Sequence, residues 1–324
     1  MRILFLGSGE FGVPTLAYLH QHHEVAAVVS QPDRPAGRHR QLTPTPVSQW
    51  AQRQGLVVLK CEDVNEAAVI EKLAALRPDA SVVIAFGQKL SPALVEAMGP
   101  LAVNLHASLL PKYRGAAPIN WAMIHDEQVT GVSVIALAQR MDAGAVYATS
   151  ELTIDPHETA GELHDRLAAL GPGAVGRVLD DLKRGQLRPR EQNDELASRA
   201  PKLTKADGTV AFDQPANLVR ARVHGLTPWP GCRVRWQCQA TGKSSELVLR
   251  RVRDFAAPPD FVRWELEAGA LVEPGRVMDG YHVLTAGGTV KLLEVQVAGS
   301  KPMSAEAFAH GHGLGKGDRL TPLR

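Results

Sequence analysis

The stretch Arg2-Ile3-Leu4-Phe5-Leu6-Gly7-Ser8-Gly9-Glu10-Phe11-Gly12, followed by Val13 to His22, decides the fold. Arg2 to Leu6 is an apolar run of buried-strand length, the glycines end it, and Val13 to His22 places Leu16 and Leu19 on one helical face. Strand, glycine turn and helix form the opening unit of an α/β domain. Working outward, the pattern repeats: strands are predicted at Val25 to Ser30, Val57 to Leu59, Ala80 to Ala85, Ala102 to Leu105 and Gly131 to Ala138. Helices are predicted at Val47 to Gln54, Glu66 to Leu76 and near Ile119 to His125. Strands alternating with helices imply a parallel, doubly wound, Rossmann-like sheet.

After residue 138 the pattern changes. Helices at Glu158 to Leu170 and Ala174 to Arg184 lead into Gly185 to Thr204, which is polar, proline-containing and weakly periodic. The expected division is an α/β domain over residues 1–186, a linker over 187–206 and a second domain over 207–324. That second part offers one helix, Pro215 to His224, and short β-rich pieces at Arg233 to Gln239, Glu246 to Val252, Gly275 to Met278, Tyr281 to Leu284 and Val290 to Val297. Short strands between glycine-rich turns suggest a small β-barrel or sandwich.

Bulk composition sets the class. A chain of 324 residues favours two domains, and 44% hydrophobic with 22% charged residues exclude disorder. The longest apolar runs fall well short of the roughly 20 residues a membrane span needs. The N-terminus enters a strand directly, with no signal-peptide pattern, so a cytoplasmic protein is expected, and it is separately taken to be a monomer. Three cysteines without zinc spacing support neither a disulfide framework nor a structural metal site. Residues 201–324 hold 17 Lys+Arg against 12 Asp+Glu, the reverse of the front portion, which hints mildly at a polyanionic partner.

Gly7-x-Gly9-x-x-Gly12, with Asp33 about 20 residues on, formally satisfies the dinucleotide fingerprint and on its own would indicate NAD. A tight strand-to-helix turn that binds nothing satisfies it too, and Glu10 would set a negative charge near a pyrophosphate. The loop Gln31-Pro32-Asp33-Arg34-Pro35-Ala36-Gly37-Arg38-His39-Arg40-Gln41-Leu42 is longer than a connection requires. Its three arginines suit either a phosphate grip or a solvated surface. The densest signal is Asn104-Leu105-His106-Ala107-Ser108-Leu109-Leu110-Pro111-Lys112-Tyr113-Arg114-Gly115-Ala116-Ala117-Pro118. At a strand end Asn104 and His106 project to one face and Leu105 to the other. Asp142, in Gln139-Arg140-Met141-Asp142-Ala143-Gly144, reaches His106 if their strands are neighbours, and a carboxylate beside an imidazole sets its tautomer and charge. His310-Gly311-His312 reads as a flexible turn rather than a metal site.

Together these pieces resemble the methionyl-tRNA formyltransferase family of the folate-dependent formyltransferases. The resemblance runs nearly end to end, through the Gln31 to Arg38 loop, Val82 to Gly87, Asn104 to Pro118, Gly131 to Gly144, Lys202-Leu203-Thr204-Lys205, Pro228-Trp229-Pro230 and Gly299 to Ser304. It implies transfer of the formyl group of 10-formyltetrahydrofolate to the α-amino group of methionine on initiator methionyl-tRNA, for translation initiation. It further implies catalytic roles for Asn104, His106 and Asp142, folate contacts near Phe86, Gly87, Gln88 and Leu90 and along Ser108, Leu109, Leu110 and Pro111, and tRNA contacts from Arg34, Arg38 and Arg40. No metal and no NAD are implied, and the C-terminal part is expected to be an OB-like, tRNA-binding barrel. Formyltransferases that act on glycinamide ribonucleotide or amino sugar nucleotides share the Asn-x-His run. The amino-sugar enzymes lack the Arg loop. The sequence departs from the family at Gly7-Ser8-Gly9-Glu10-Phe11-Gly12, where many members have Gly-Thr-Pro-Asp-Phe, and at His39, in a stretch often richer in lysine.

Overall fold

The computed structural model describes residues 1–37, 41–257, 260 and 273–323. In chain order the elements begin β1 (Arg2–Gly7), α1 (Val13–His22), β2 (Glu24–Ser30), β3 (Arg34–Ala36), β4 (Gln41–Thr43), α2 (Pro46–Arg53), β5 (Val58–Lys60) and α3 (Ala67–Ala75). They continue with β6 (Ala80–Ile84), α4 (Pro92–Ala97), β7 (Ala102–His106), β8 (Arg114–Gly115), α5 (Pro118–Ile124), β9 (Val129–Ala136), β10 (Val146–Thr153), α6 (Ala160–Ala168) and α7 (Gly171–Lys183). The last are β11 (Arg199–Ala200), α8 (Ala216–Gly225), β12 (Cys232–Gln237), β13 (Ser244–Phe255), β14 (His282–Leu284), β15 (Thr289–Val297), β16 (Met303–Ser304), α9 (Ala305–His312) and β17 (Arg319–Pro322).

These elements form two compact units: residues 1–115, 129–152 and 164–200, and residues 116–128, 153–163 and 201–324. The segment 187–206 is divided between them at residue 200.

The first unit is built on a seven-stranded sheet of order β10-β9-β7-β6-β1-β2-β5. Strand β1 pairs in parallel with both β2 and β6, so the strand order reverses about it, and its carboxyl end opens the crevice where such sheets take ligands. One face carries a core of Leu4, Leu6, Val29, Leu73, Val83, Phe86 and Leu94 under α3 and α4. On the other, α7 lies so close that side chains at Gly171 and Gly176 would run into Leu105 and Tyr18. Leu105 therefore points toward α7, leaving Asn104 and His106 on the opposite face.

The sheet is not parallel throughout. Strand β9 runs antiparallel to β7, with Val103 opposite Ala136 and His106 opposite Ser133. The alternation rule missed this because β9 follows the short helix α5, not a full crossover helix, and a short connection permits reversal. Strand β10 was not predicted at all: its edge position leaves most of Tyr147 to Thr153 half-exposed, so no apolar alternation marks it. The 31–42 loop is in part the hairpin β3–β4.

The second unit is an open antiparallel half-barrel of order β14-β15-β13-β12-β17, with β16 paired to β15. Its core gathers Val219 and Val223 of α8, Leu247 and Leu249, Val295, Trp236 and Phe308, the last two packed edge to face at 5.2 Å. Gly275 to Met278 forms isolated bridges, Arg276 to Arg319 and Val277 to Val283, in place of the expected strand. His310 and His312 lie in the last turn of α9, not in a flexible turn. Ser304 Oγ caps that helix by accepting from Ala307 N–H at 3.1 Å, and Gly313 ends it in the left-handed region. Among the described residues no helix is long and apolar enough to cross a membrane.

One buried histidine makes this unit acid-sensitive. His224 is fully buried; its Nδ1 donates to the Pro156 carbonyl at 3.2 Å and its Nε2 accepts from Val252 N–H at 3.1 Å, a pattern that only the neutral ring satisfies. Burial, helped by Arg220, lowers its pKa to about 4. Between that value and the ordinary 6.5 the unfolded chain binds the extra proton, so stability rises with pH there and is lost as pH falls toward 4. The loss should approach roughly 3 kcal/mol, at about 1.36 kcal/mol per unit. Urea unfolding at pH 7 and pH 4.5 checks this: the fall should be shallower in His224→Gln, and equal slopes would remove His224 as its source.

Candidate active site

Three stretches of the first unit meet on the Asn104 side of β7. His106, 7% exposed, ends the strand, and its Nε2 lies 2.9 Å from the Tyr113 carbonyl oxygen. A carbonyl can only accept, so Nε2 carries the hydrogen and Nδ1 is left facing outward. Asp142 Oδ1 stands 3.6 Å from that Nδ1, beyond a direct hydrogen bond but close enough for one small group to touch both. Asp142 Oδ2 accepts from the Gly115 N–H at 2.9 Å. Asn104 is half-buried, and its amide has no side-chain hydrogen bond to another described residue.

The local chain explains why these groups meet. Because β9 is antiparallel to β7, the loop after it leaves beside Val103, roughly 10 Å along the strand from His106, and must double back. It does so with Asp142 at φ 56°, a left-handed conformation that Asp tolerates better than most residues but which still costs on the order of 1 kcal/mol. Gly115, at φ 131°, is the other special position: β8 pairs so closely with β11 that a Cβ there would strike the Ala200 carbonyl. Ser108 and Ser133 fix the intervening loop, Ser133 Oγ donating to the Ser108 carbonyl at 2.7 Å and accepting from Leu110 N–H at 3.1 Å.

The other expected site residues separate into groups. Ser108, Leu109, Leu110 and Pro111 follow His106 after Ala107, with a cis Leu110–Pro111 peptide, and Leu110 packs on Ile135 and Val146. Phe86 and Gly87 follow β6, the neighbour of β7; the Phe86 carbonyl accepts from Ser8 Oγ at 3.0 Å and Gln31 Nε2 at 3.3 Å. The Gln88 side chain is committed elsewhere, accepting from Val64 N–H and donating to the Cys61 carbonyl, and Leu90 packs against the core. Arg34 follows β2, three strands or roughly 14 Å from β7, and pairs with Glu62 at 2.6 Å. Arg38 and Arg40 lie outside the described residues. In the glycine loop, the Ser8 and Gly9 N–H groups donate to the Ala85 carbonyl at 3.2 and 3.3 Å, and Asp33 pairs with Lys60. Among the described residues no group of three or more His, Cys, Asp or Glu could hold a metal ion.

Sequence reading missed the 187–200 segment. Gln192 Nε2 donates to the carbonyls of Asp142 and Gly144, at 2.8 and 2.7 Å, and Asp194 pairs with both Arg114 and Arg140. Hydrogen bonds from Arg140 and then Arg114 hold the Asp194 carboxyl below its ordinary range. Nothing in a polar stretch some 50 residues from Asp142 signals that approach.

A sheet that turns antiparallel beside its Asn-x-His strand, with a half-barrel unit, has the formyl transferase architecture. Residues 1–179 match the formyl transferase family and residues 202–313 its C-terminal domain family. The chain is 40% identical to the methionyl-tRNA formyltransferase of Heliobacterium modesticaldum, covering 99% of this chain and 100% of that protein. It is 38% identical to that of Trichlorobacter lovleyi, over 99% and 97%. The chain belongs to the methionyl-tRNA formyltransferase family. A solved N-formyltransferase from Helicobacter canadensis, in complex with folinic acid and dTDP-3-aminofucose, shares the fold at TM-score 0.65 and 13% identity, over 91% of this chain and 98% of that one.

The turn tolerates no added bulk at Gly144, where a Cβ would collide with the Ala136 carbonyl oxygen. Gly144→Ala should lose about 3 kcal/mol of stability and with it the Asp142 placement. Denaturant unfolding checks this, and a loss under 0.5 kcal/mol would show that the turn has room.

Proposed function

We propose that this chain transfers the formyl group of 10-formyltetrahydrofolate to the α-amino group of methionine on initiator methionyl-tRNA. The observation that carries the reading is the pairing of His106 Nδ1 with Asp142 Oδ1 at 3.6 Å, beside the unengaged Asn104 amide, in a chain of this family. The folate donor supplies an already activated formyl group. In the transfer, the amine nitrogen bonds to the formyl carbon and the bond from that carbon to the folate nitrogen breaks. The amine releases one proton and the folate nitrogen takes one up.

Two tasks then fall to the protein. Charge on the formyl oxygen needs donors, each worth roughly 3–4 kcal/mol, and Asn104 Nδ2 is one. His106 is the other when protonated: with Nε2–H held by Tyr113, its second hydrogen sits on Nδ1, the nitrogen that faces Asp142. The proton released by the amine goes to Asp142, directly or through an ordered water, or to the neutral ring at Nδ1. Folate is placed against Phe86, Gly87, Gln88 and Leu90 and along Ser108 to Pro111. For Gln88 the support is the backbone, since its side chain is already bonded.

Arg34, Arg38 and Arg40 and the basic residues of the stretch 201–324 are assigned to tRNA phosphates. Against the NAD reading stands the use of the Ser8 and Gly9 N–H groups: donors that would cradle a pyrophosphate bond to Ala85 instead. The reaction is assigned no metal and no NAD, and the enzyme is taken to act as a cytoplasmic monomer.

In a formylation assay with charged initiator tRNA, His106→Ala and Asp142→Asn should each lower kcat by about 10³-fold while tRNA binding is kept. Near-normal single-turnover transfer by either variant would sink the assignment. The apparent tRNA affinity should also fall steeply between 50 and 200 mM salt, by about 10³-fold or more if six or more phosphates are contacted. A flat response would reject the phosphate role.

A further inference from the structure

The turn that carries Asp142 is held at its backbone by a single side chain from the 187–200 segment. The Gln192 amide is fully used. Its Nε2 gives both hydrogens to carbonyls, those of Asp142 at 2.8 Å and Gly144 at 2.7 Å. Its Oε1 accepts two hydrogen bonds from one guanidinium, Arg114 Nε at 3.0 Å and Arg114 Nη2 at 2.6 Å. Arg114 immediately precedes Gly115, whose N–H binds Asp142 Oδ2. The contacts therefore close a ring: the Asp142 carboxylate is tied to Gly115, Gly115 to Arg114 along the chain, Arg114 to Gln192, and Gln192 back to the Asp142 carbonyl.

Asp194 braces the ring from outside. Its two oxygens take Arg114 Nη1 at 2.8 Å and Arg140 Nη1 at 2.7 Å, so the residue two before Asp142 is fixed to the guanidinium that fixes Gln192. Strand β11 holds the far end of this segment to β8, and Val146 exchanges both backbone hydrogen bonds with Arg190 near the other end. A non-glycine residue at positive φ keeps one orientation only where its surroundings over-determine it, and here Gln192 grips the backbone carbonyl while Gly115 grips the carboxylate.

We propose that Gln192 is a positioning residue for formyl transfer, acting through Asp142: its amide sets the Asp142 carboxylate opposite His106 Nδ1, with Arg114 and Asp194 orienting the amide. Gln192 touches no reacting atom. The proposal rests on the reading of Asp142 as the proton-handling carboxylate. It also gives the polar 187–200 segment a task that a connection between domains would not need.

The chemistry of the amide supplies a clean probe. Gln192→Glu keeps the shape and the Arg114 contact but turns oxygen lone pairs onto two carbonyls in place of two donors. With charged initiator tRNA and 10-formyltetrahydrofolate, Q192E should keep the wild-type circular dichroism spectrum, lose about 100-fold in kcat and leave KM for both substrates within about threefold. Gln192→Ala, read by the same criteria, covers the case in which Q192E does not fold. Asp194→Asn should lose less than Q192E, because Arg114 keeps its hold on the amide.

A kcat for the folded Gln192 variants within about twofold of wild type, with Asp142→Asn inactive in parallel, overturns the positioning role and leaves the functional reading intact. A loss confined to KM also overturns it. Activity retained by Asp142→Asn overturns both.

Discussion

The site depends on one hydrogen bond, from the Gly115 N–H to Asp142 Oδ2. Strand β9 delivers the chain to the wrong end of β7, and the returning loop has no regular ladder to follow past Ala136. What brings the carboxylate beside the imidazole is a donor fixed from elsewhere. That donor is in place because β8 pairs with β11, and β11 approaches so closely that only glycine fits at residue 115. A short parallel pairing between residues 114–115 and 199–200 thus determines where a carboxylate at residue 142 stands. The imidazole answers from the other side, where Tyr113, the neighbour of this pair, takes the Nε2 hydrogen and leaves Nδ1 for the carboxylate.

This arrangement explains why so much of the site is buried or backbone-bound. His106 and Ser108 are shielded, and Ser133 is spent on holding the loop that carries Tyr113 to Gly115. Among the described residues, the Asn104 side chain on the same face is left without a hydrogen bond. A site assembled this way has its Asp142 and Ser133 side chains held by hydrogen bonds, which suits a reaction whose barrier is lowered by donors and charges already in place. At the end of β1 the donors are spent within the chain: the Ser8 and Gly9 N–H groups bond to the Ala85 carbonyl, and the Ser8 and Gln31 side chains to that of Phe86.

The local elements of the first unit were legible because buried strands and amphipathic helices leave strong periodicity, as at Ile3 to Leu6 and Leu16 with Leu19. The alternation of Asn104, Leu105 and His106 also reads directly as two polar groups on one face. What could not be read was long-range. The direction of β9 depends on which edge the chain meets after α5, the edge strand β10 has too little buried surface to mark it, and α9 is announced by a cap and alanines that the two histidines obscured. Gln192 was invisible for a different reason: a polar residue in a polar, proline-containing stretch looks like solvent-exposed chain until its amide is seen to meet two carbonyls.

The central claim is that the His106 imidazole and the Asp142 carboxylate act as one proton-handling unit. A double-mutant cycle in single-turnover formyl transfer, comparing His106→Ala, Asp142→Asn and the double variant, tests it most directly. Groups that act as a unit are strongly non-additive. The double variant should therefore be slower than the more damaged single variant by no more than about threefold. Losses that multiply, each substitution costing its full factor in the presence of the other, would contradict the account.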